Sequence, residues 1–279
     1  VTVALALAAA IAYGAADFCG GIATRRTQAA AVVIISQLGG LLVLAVAWVA
    51  FPGGGRFDHD DLVYGLCVGV AGAIAITSLY GALAIGRMGV VSPITAVVGA
   101  SVPVVIGFAL GERPATAAVV GVALALVAVV LVSIDAETRG FSFRAPGVGL
   151  ALVAGLAIGA AYVFLSLGHS DGGFDRLAVA RVVSVGLLTA YAILRRESLR
   201  PASGALPLIL GAGALDMSAN VLYILAARSG LFAIAAVLTS LYPASTVLLA
   251  RIFLHERLTR VQWCGVAFAA CGVVLIALP

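Results

Sequence analysis

The residues best placed to do chemistry are a few polar side chains set in otherwise apolar sequence. Asp216, Asn220 and Tyr223 are spaced i, i+4, i+7, which puts all three on one face of a helix. Asp17 stands among Ala15, Ala16, Phe18 and Cys19 with no counter-charge nearby in sequence. Arg181 lies inside another apolar run, and Gln37 occupies the corresponding place 144 residues earlier. Carboxylates in such surroundings suit the binding of a proton or a cationic group. Asp17 reads as a coupling or cation-binding carboxylate, against the plainer reading of local hydrogen bonding near an interface. Asp216 reads as a site residue, against a helix–helix clamp. Arg181 could meet an anionic solute or pair with Asp216, the plain alternative being a side chain that snorkels to water. Tyr162 falls 145 positions after Asp17, and with Tyr223 and Asn220 it would shape the same place. A charge near the centre of a bilayer costs roughly 2.5–3.5 kcal/mol on insertion scales, so each such residue points toward function.

A bilayer is implied by composition. Of 279 residues, 63% are hydrophobic and 10% charged, far too few polar groups for a soluble surface. Ten apolar segments of roughly 20 residues match a hydrocarbon core of about 30 Å at helical rise. They are read at about 3–24, 28–51, 62–86, 89–110, 116–134, 147–168, 177–194, 206–227, 230–251 and 260–278. Each should be a helix, because an open strand leaves backbone groups unpaired in lipid. The fold class is therefore all-α, a polytopic membrane protein. The first segment reads as a spanning helix and not as a cleaved signal peptide. All sixteen basic residues are Arg, mostly in the breaks, so the net charge of +4 reflects the water boundary and not a nucleic-acid surface. Cys19, Cys67, Cys264 and Cys271 lie inside apolar runs and read as buried, inert thiols.

The chain repeats itself. Residues 80–135 align without gaps on 224–279: Gly86 meets Gly230, Ala100-Ser101 meets Ala244-Ser245, and Glu112-Arg113 meets Glu256-Arg257. Gly14-Ala15-Ala16 likewise matches Gly159-Ala160-Ala161. Two units follow, 1–139 and 146–279, with five spans each. An odd number of spans sends the second unit into the membrane from the opposite side, so the repeats should be inverted about an axis in the membrane plane. Gly65/Gly69 and Gly155/Gly159 form G-x-x-x-G pairs that allow close helix approach. Pro93, Pro103 and Pro243 interrupt hydrogen-bond ladders in the fourth and ninth spans. Hydroxyls recur, Thr77, Tyr80, Ser92, Thr95, Ser184, Thr239 and Tyr242 among them; most should bond back to their own helix. Glu112-Arg113 and Glu256-Arg257 read as turn clamps.

Loops after the odd-numbered spans carry eleven arginines and the other side four, which by the positive-inside rule puts both termini outside.

The run Ala82-Leu83-Ala84-Ile85-Gly86, then Ser92-Pro93 and Gly111-Glu112-Arg113-Pro114, and in the second half Leu241-Tyr242-Pro243 and His255-Glu256-Arg257-Leu258 with Gly265, resembles the drug/metabolite transporter superfamily in its ten-helix EamA-type branch. The resemblance covers essentially the whole chain. It implies ten helices in two inverted five-helix repeats, a central cavity, and movement of small metabolites such as amino acids, nucleosides or sugars across the plasma (inner) membrane. It also implies cytoplasmic termini, against the arginine distribution. Gly99 stands where the second half has Pro243, a departure from the duplicated pattern.

The expectation is a secondary transporter working by alternating access, with a small-molecule substrate, protons as a candidate coupling ion, and the bilayer as its surroundings. The alternatives are a passive channel or facilitator and a non-transporting assembly subunit. Nucleotide-binding motifs are absent, and His59, His169 and His255 fall in breaks without H-E-x-x-H or G-x-S-x-G context. No enzymatic activity, cofactor or metal is expected.

Overall fold

Apolar sequence in lipid must pair every backbone N–H and C=O within its own segment, and the chain does so with helices. A computed structural model describes residues 2–50, 58–109, 116–132, 146–166, 173–228, 239 and 241–277. Among them are ten helices and no strand. In chain order they are α1 (Thr2–Thr24), α2 (Ala29–Ala50), α3 (His59–Ile85), α4 (Met88–Ala109), α5 (Thr116–Val132), α6 (Val148–Ser166), α7 (Gly173–Arg195), α8 (Leu206–Arg228), α9 (Tyr242–Phe253) and α10 (Arg260–Ala277). α1, α2, α3, α7 and α8 are long and apolar enough to cross a membrane, and α4, α6 and α10 carry shorter apolar stretches. The Glu112-Arg113 pair, most of the central junction and the opening of the ninth span (230–238) lie outside the described residues.

Local chemistry sets the helix ends. Asp58 caps α3, its side chain accepting from the Asp61 amide at 2.7 Å. Thr259 and Gln262 form a reciprocal capping box at α10, with bonds of 3.2 and 3.0 Å. Pro243 falls in the first turn of α9, where its missing N–H needs no ladder partner, and Leu241 before it is in a turn, so the ladder of the ninth span is interrupted there as the sequence indicates. One sequence expectation changes. α7 begins at Gly173, ahead of Arg176, because that arginine is neutralised within the protein. Hydroxyls bond back as expected: Thr24 to Gly20 O at 2.7 Å and Ser101 to Val97 O at 2.8 Å. The four cysteines are unpaired, but Cys264 and Cys271 face outward on α10 instead of being buried. Val49 and Leu194 are similarly outward, 92% and 82% exposed, as suits a lipid-facing belt.

Packing follows the duplication. α1 lies on α8 as α6 lies on α3; α2 lies on α8 as α7 lies on α3; α9 lies on α1 as α4 lies on α6. The pairs α5–α10, α2–α7 and α4–α9 each join a helix to its own repeat-mate and so mark the pseudo-two-fold axis. Both G-x-x-x-G motifs are close-approach faces. A Cβ on Gly65 or Gly69 would lie 2.7 Å from Val179 or Val183 of α7, and one on Gly155 or Gly159 within 2.6 or 2.4 Å of Val98 or Val102 of α4.

The ends of the helices show the inversion. The α1–α2, α3–α4, α7–α8 and α9–α10 turns share one face. Arg25 approaches Glu256 at 4.0 Å, Arg87 bonds Gln262 at 3.4 Å, and the Ala202 amide donates to Thr27 Oγ1 at 3.1 Å. The start of α6 joins this face, Gly147 lying against Ala82 and Gly86. On the opposite face the starts of α3 and α7 meet through Asp61 and Arg176, 3.1 Å apart. The α1–α2 turn and the start of α7 therefore sit on opposite sides. The chain enters the second repeat from the face opposite its amino end.

Candidate functional site

Asp216 is near the middle of α8 and forms an ion pair with Arg181 of α7. Because α7 starts earlier than sequence indicated, Arg181 lies eight residues into its helix, about 12 Å at helical rise, and not within snorkelling reach of the near boundary. The pair is 15% and 18% exposed, largely enclosed but reachable by small groups. Asn220, on the same face, donates its amide to the Asp216 backbone carbonyl at 2.8 Å. Its side chain thus closes on its own helix.

Asp17 of α1 is 7% exposed, and its Oδ2 has no hydrogen-bond partner among the described residues. It lies within electrostatic reach of Asp216, consistent with the packing of α1 on α8. Gln37 of α2 is 3% exposed and donates from Nε2 to Ser184 Oγ of α7 at 2.9 Å. Ser184 is one helical turn beyond Arg181, so the repeat-mates Gln37 and Arg181 are joined through α7 and not to each other. The Gln37 Oε1 has no partner among the described residues.

Tyrosines surround this cluster. Tyr162 is 48% exposed, yet feels the charges of Asp17 and Asp216 and neighbours Tyr223. It thus lies beside the cluster of Asp17, Asp216 and Tyr223. Tyr80 of α3 and Tyr242 of α9 lie in the field of Asp17. The Tyr80 ring occupies the space that a side chain on Gly20 would fill, a Cβ there lying 2.1 Å from its Cζ. Tyr13 is the site residue that sequence reasoning missed. It sits one turn before Asp17, its ring centroid 6.1 Å from that of Tyr242, near Tyr162, Asp216, Arg181 and Tyr223. The available signal was the i, i+4 spacing of Tyr13 and Asp17 on one helix face.

Two repeats thus bring together Asp17, Asp216 and Arg181 with five tyrosines from α1, α3, α6, α8 and α9. A carboxylate with an uncommitted oxygen can take a proton or a cationic group. The Arg181–Asp216 pair presents both signs of charge. The rings offer hydroxyls and faces able to hold a cation.

The family model for EamA-like transporters matches residues 1–134 and 145–278. One solved structure, described as a crystal structure of protein, is 16% identical with a TM-score of 0.64, covering 96% of this chain and 95% of that one; it shares the fold. No curated protein matches the chain. With both repeats matched and their packing mirrored helix by helix, this chain belongs to the EamA-like transporter family.

Proposed function

We propose that the protein is a secondary transporter that moves a small solute across the plasma (inner) membrane by alternating access, its units 1–139 and 146–279 rocking about the site between them. The observation that carries this reading is the position of Asp17, Asp216 and Arg181, three ionisable groups held deep in the bundle where the repeats meet. Such groups are expensive in a membrane and mark substrate or ion pathways. Arg181 holds Asp216. That leaves Asp17 to accept, in turn, a proton or the cationic group of a solute, so an amine-bearing solute exchanged against protons fits this charge pattern best. Tyr13, Tyr162 and Tyr223 then line the solute's apolar part.

The test is a thermal-shift screen of the purified chain in detergent with amino acids, nucleosides and sugars, followed by counterflow in proteoliposomes. Saturable counterflow of a stabilising solute supports the reading, as does alkalinisation of the lumen, reported by trapped pyranine, when that solute enters liposomes that hold none. Unsaturable, ohmic flux would replace it with a channel.

A further inference from the structure

Away from the central site, a cavity of about 500 Å³ opens where α4, α9 and α10 meet on the arginine-rich face. Its lining includes Arg251, His255, Glu256, Arg257 and Trp263. The one carboxylate among these is already engaged: Glu256 accepts from the amides of Met88 and Gly89 at 3.1 and 3.0 Å and has Arg25 at 4.0 Å. Two arginines remain to set the charge of the cavity. Arg87 bonds the Arg257 carbonyl and so fixes the turn that carries Arg257. Arg251 stands 5.7 Å from the centre of the Trp263 ring.

The surroundings identify the occupant. Trp263 is 41% exposed, and on the same two helices Leu248, Ile252 and Val261 are 57%, 55% and 42% exposed, so α9 and α10 carry apolar surface outside the bundle. An indole at the boundary between turns and apolar belt marks headgroup depth. Arginine forks match phosphate geometry bidentately. From these observations we infer that the cavity is a headgroup site for an anionic phospholipid, Arg251 and Arg257 holding its phosphodiester while its acyl chains lie along the exposed apolar surface of α9 and α10.

The full chain carries two tryptophans, Trp48 near the far end of α2 and Trp263 in the cavity, so Trp48→Phe leaves Trp263 as sole reporter. The W48F protein in detergent micelles is titrated with brominated phosphatidylglycerol or brominated phosphatidylcholine. Phosphatidylglycerol should quench Trp263 saturably, with a midpoint well below that of phosphatidylcholine. Each arginine should contribute roughly fivefold, so R251Q/R257Q brings the two midpoints together. R257Q alone, if the double variant does not purify, should move the phosphatidylglycerol midpoint by that single step. Equal midpoints for the two lipids overturn the proposal, as does a phosphatidylglycerol midpoint unmoved by the arginine variants. Displacement by millimolar inorganic phosphate would also overturn it, the site then being one for a soluble anion.

Discussion

Thr95 and Thr239 make the same hydrogen bond from opposite halves of the chain. Thr95 Oγ1 shares its proton between the Val91 carbonyl of its own helix at 3.0 Å and the Ala151 carbonyl at 3.3 Å, which joins α4 to α6, and Thr239 Oγ1 reaches the Ala6 carbonyl at 3.5 Å, joining the approach to α9 to α1. The donors are 144 residues apart and the acceptors 145, the offset of the sequence repeat. Each bond belongs to a helix pair that the pseudo-two-fold axis exchanges. Interhelical bonds of this kind in membrane proteins average about 0.6 kcal/mol. Thr95→Val and Thr239→Val should each cost about that much in reversible unfolding. Because the sites share no partner, the double variant should cost the sum within about 0.5 kcal/mol. A markedly larger loss in the double variant would mean the two contacts are coupled.

Glycine marks where the halves come closest, and the same relation recurs. A Cβ on Gly14 would lie 2.4 Å from Ser245 Cβ, and one on Gly159 2.4 Å from Val102 Cβ. Gly14→Ala and Gly159→Ala should therefore each destabilise by about 1–3 kcal/mol through forced separation of helices. Gly72→Ala is the control: nothing lies within 4 Å of its Cβ position, so it should be neutral or gain about 0.5–1 kcal/mol from helix propensity. Denaturation in mixed micelles separates the two outcomes.

Asp61 and Arg176 are each 4% exposed, and Tyr64 lies 5.8 Å beneath the guanidinium. Removing one partner leaves a buried charge uncompensated, so Asp61→Ala or Arg176→Ala should cost about 3–5 kcal/mol. Asp61→Leu with Arg176→Met should recover most of that loss, because the pair itself need add little over apolar packing. Equal instability of the single and paired variants would show that the residues act separately.

That pair also shows what the sequence conceals. The duplication, the helix count and the inversion were legible because hydropathy and repeat offset are properties of the chain itself. Arg181 with Asp216 was legible as one of three alternatives, since both sit within apolar runs. Asp61 and Arg176 fall one residue outside the spans read at 62–86 and 177–194, because at a span's edge an arginine facing water and one facing an aspartate look the same until the helices are placed. His255 shows a subtler clue. Its φ of 55° is left-handed, and the first repeat carries Gly111 at the matching position, the residue such a backbone favours.

Glu256 caps a helix of the other half. Its two carboxylate oxygens accept from the first amides of α4, donors that no intrahelical bond satisfies. Its side chain is 13% exposed. Glu256→Ala should cost about 1–2 kcal/mol, as loss of an N-cap does. The Met88 and Gly89 amides should exchange hydrogen faster while those in the middle of α4 do not. Unchanged exchange at Met88 and Gly89 would leave the cap without an energetic role.

The proposed mechanism assigns holding to Arg181 and coupling to Asp17. If Arg181 serves to fix Asp216, then Arg181→Gln and Asp216→Asn each strand a partner, and the double variant should be more stable than the single losses imply, by an interaction term of about 1–3 kcal/mol. Transport should stay low in all three, because the geometry at α8 is lost in each. Asp17 has no such partner among the described residues, so Asp17→Asn should leave stability near wild type. If Asp17 takes the proton and the solute's cationic group in turn, Asp17→Asn should abolish accumulation of solute against its gradient and counterflow alike, since the solute loses the carboxylate that binds it. Accumulation by D17N equal to wild type at the same imposed pH gradient would remove Asp17 from the coupling step and leave Asp216 as the carboxylate to examine.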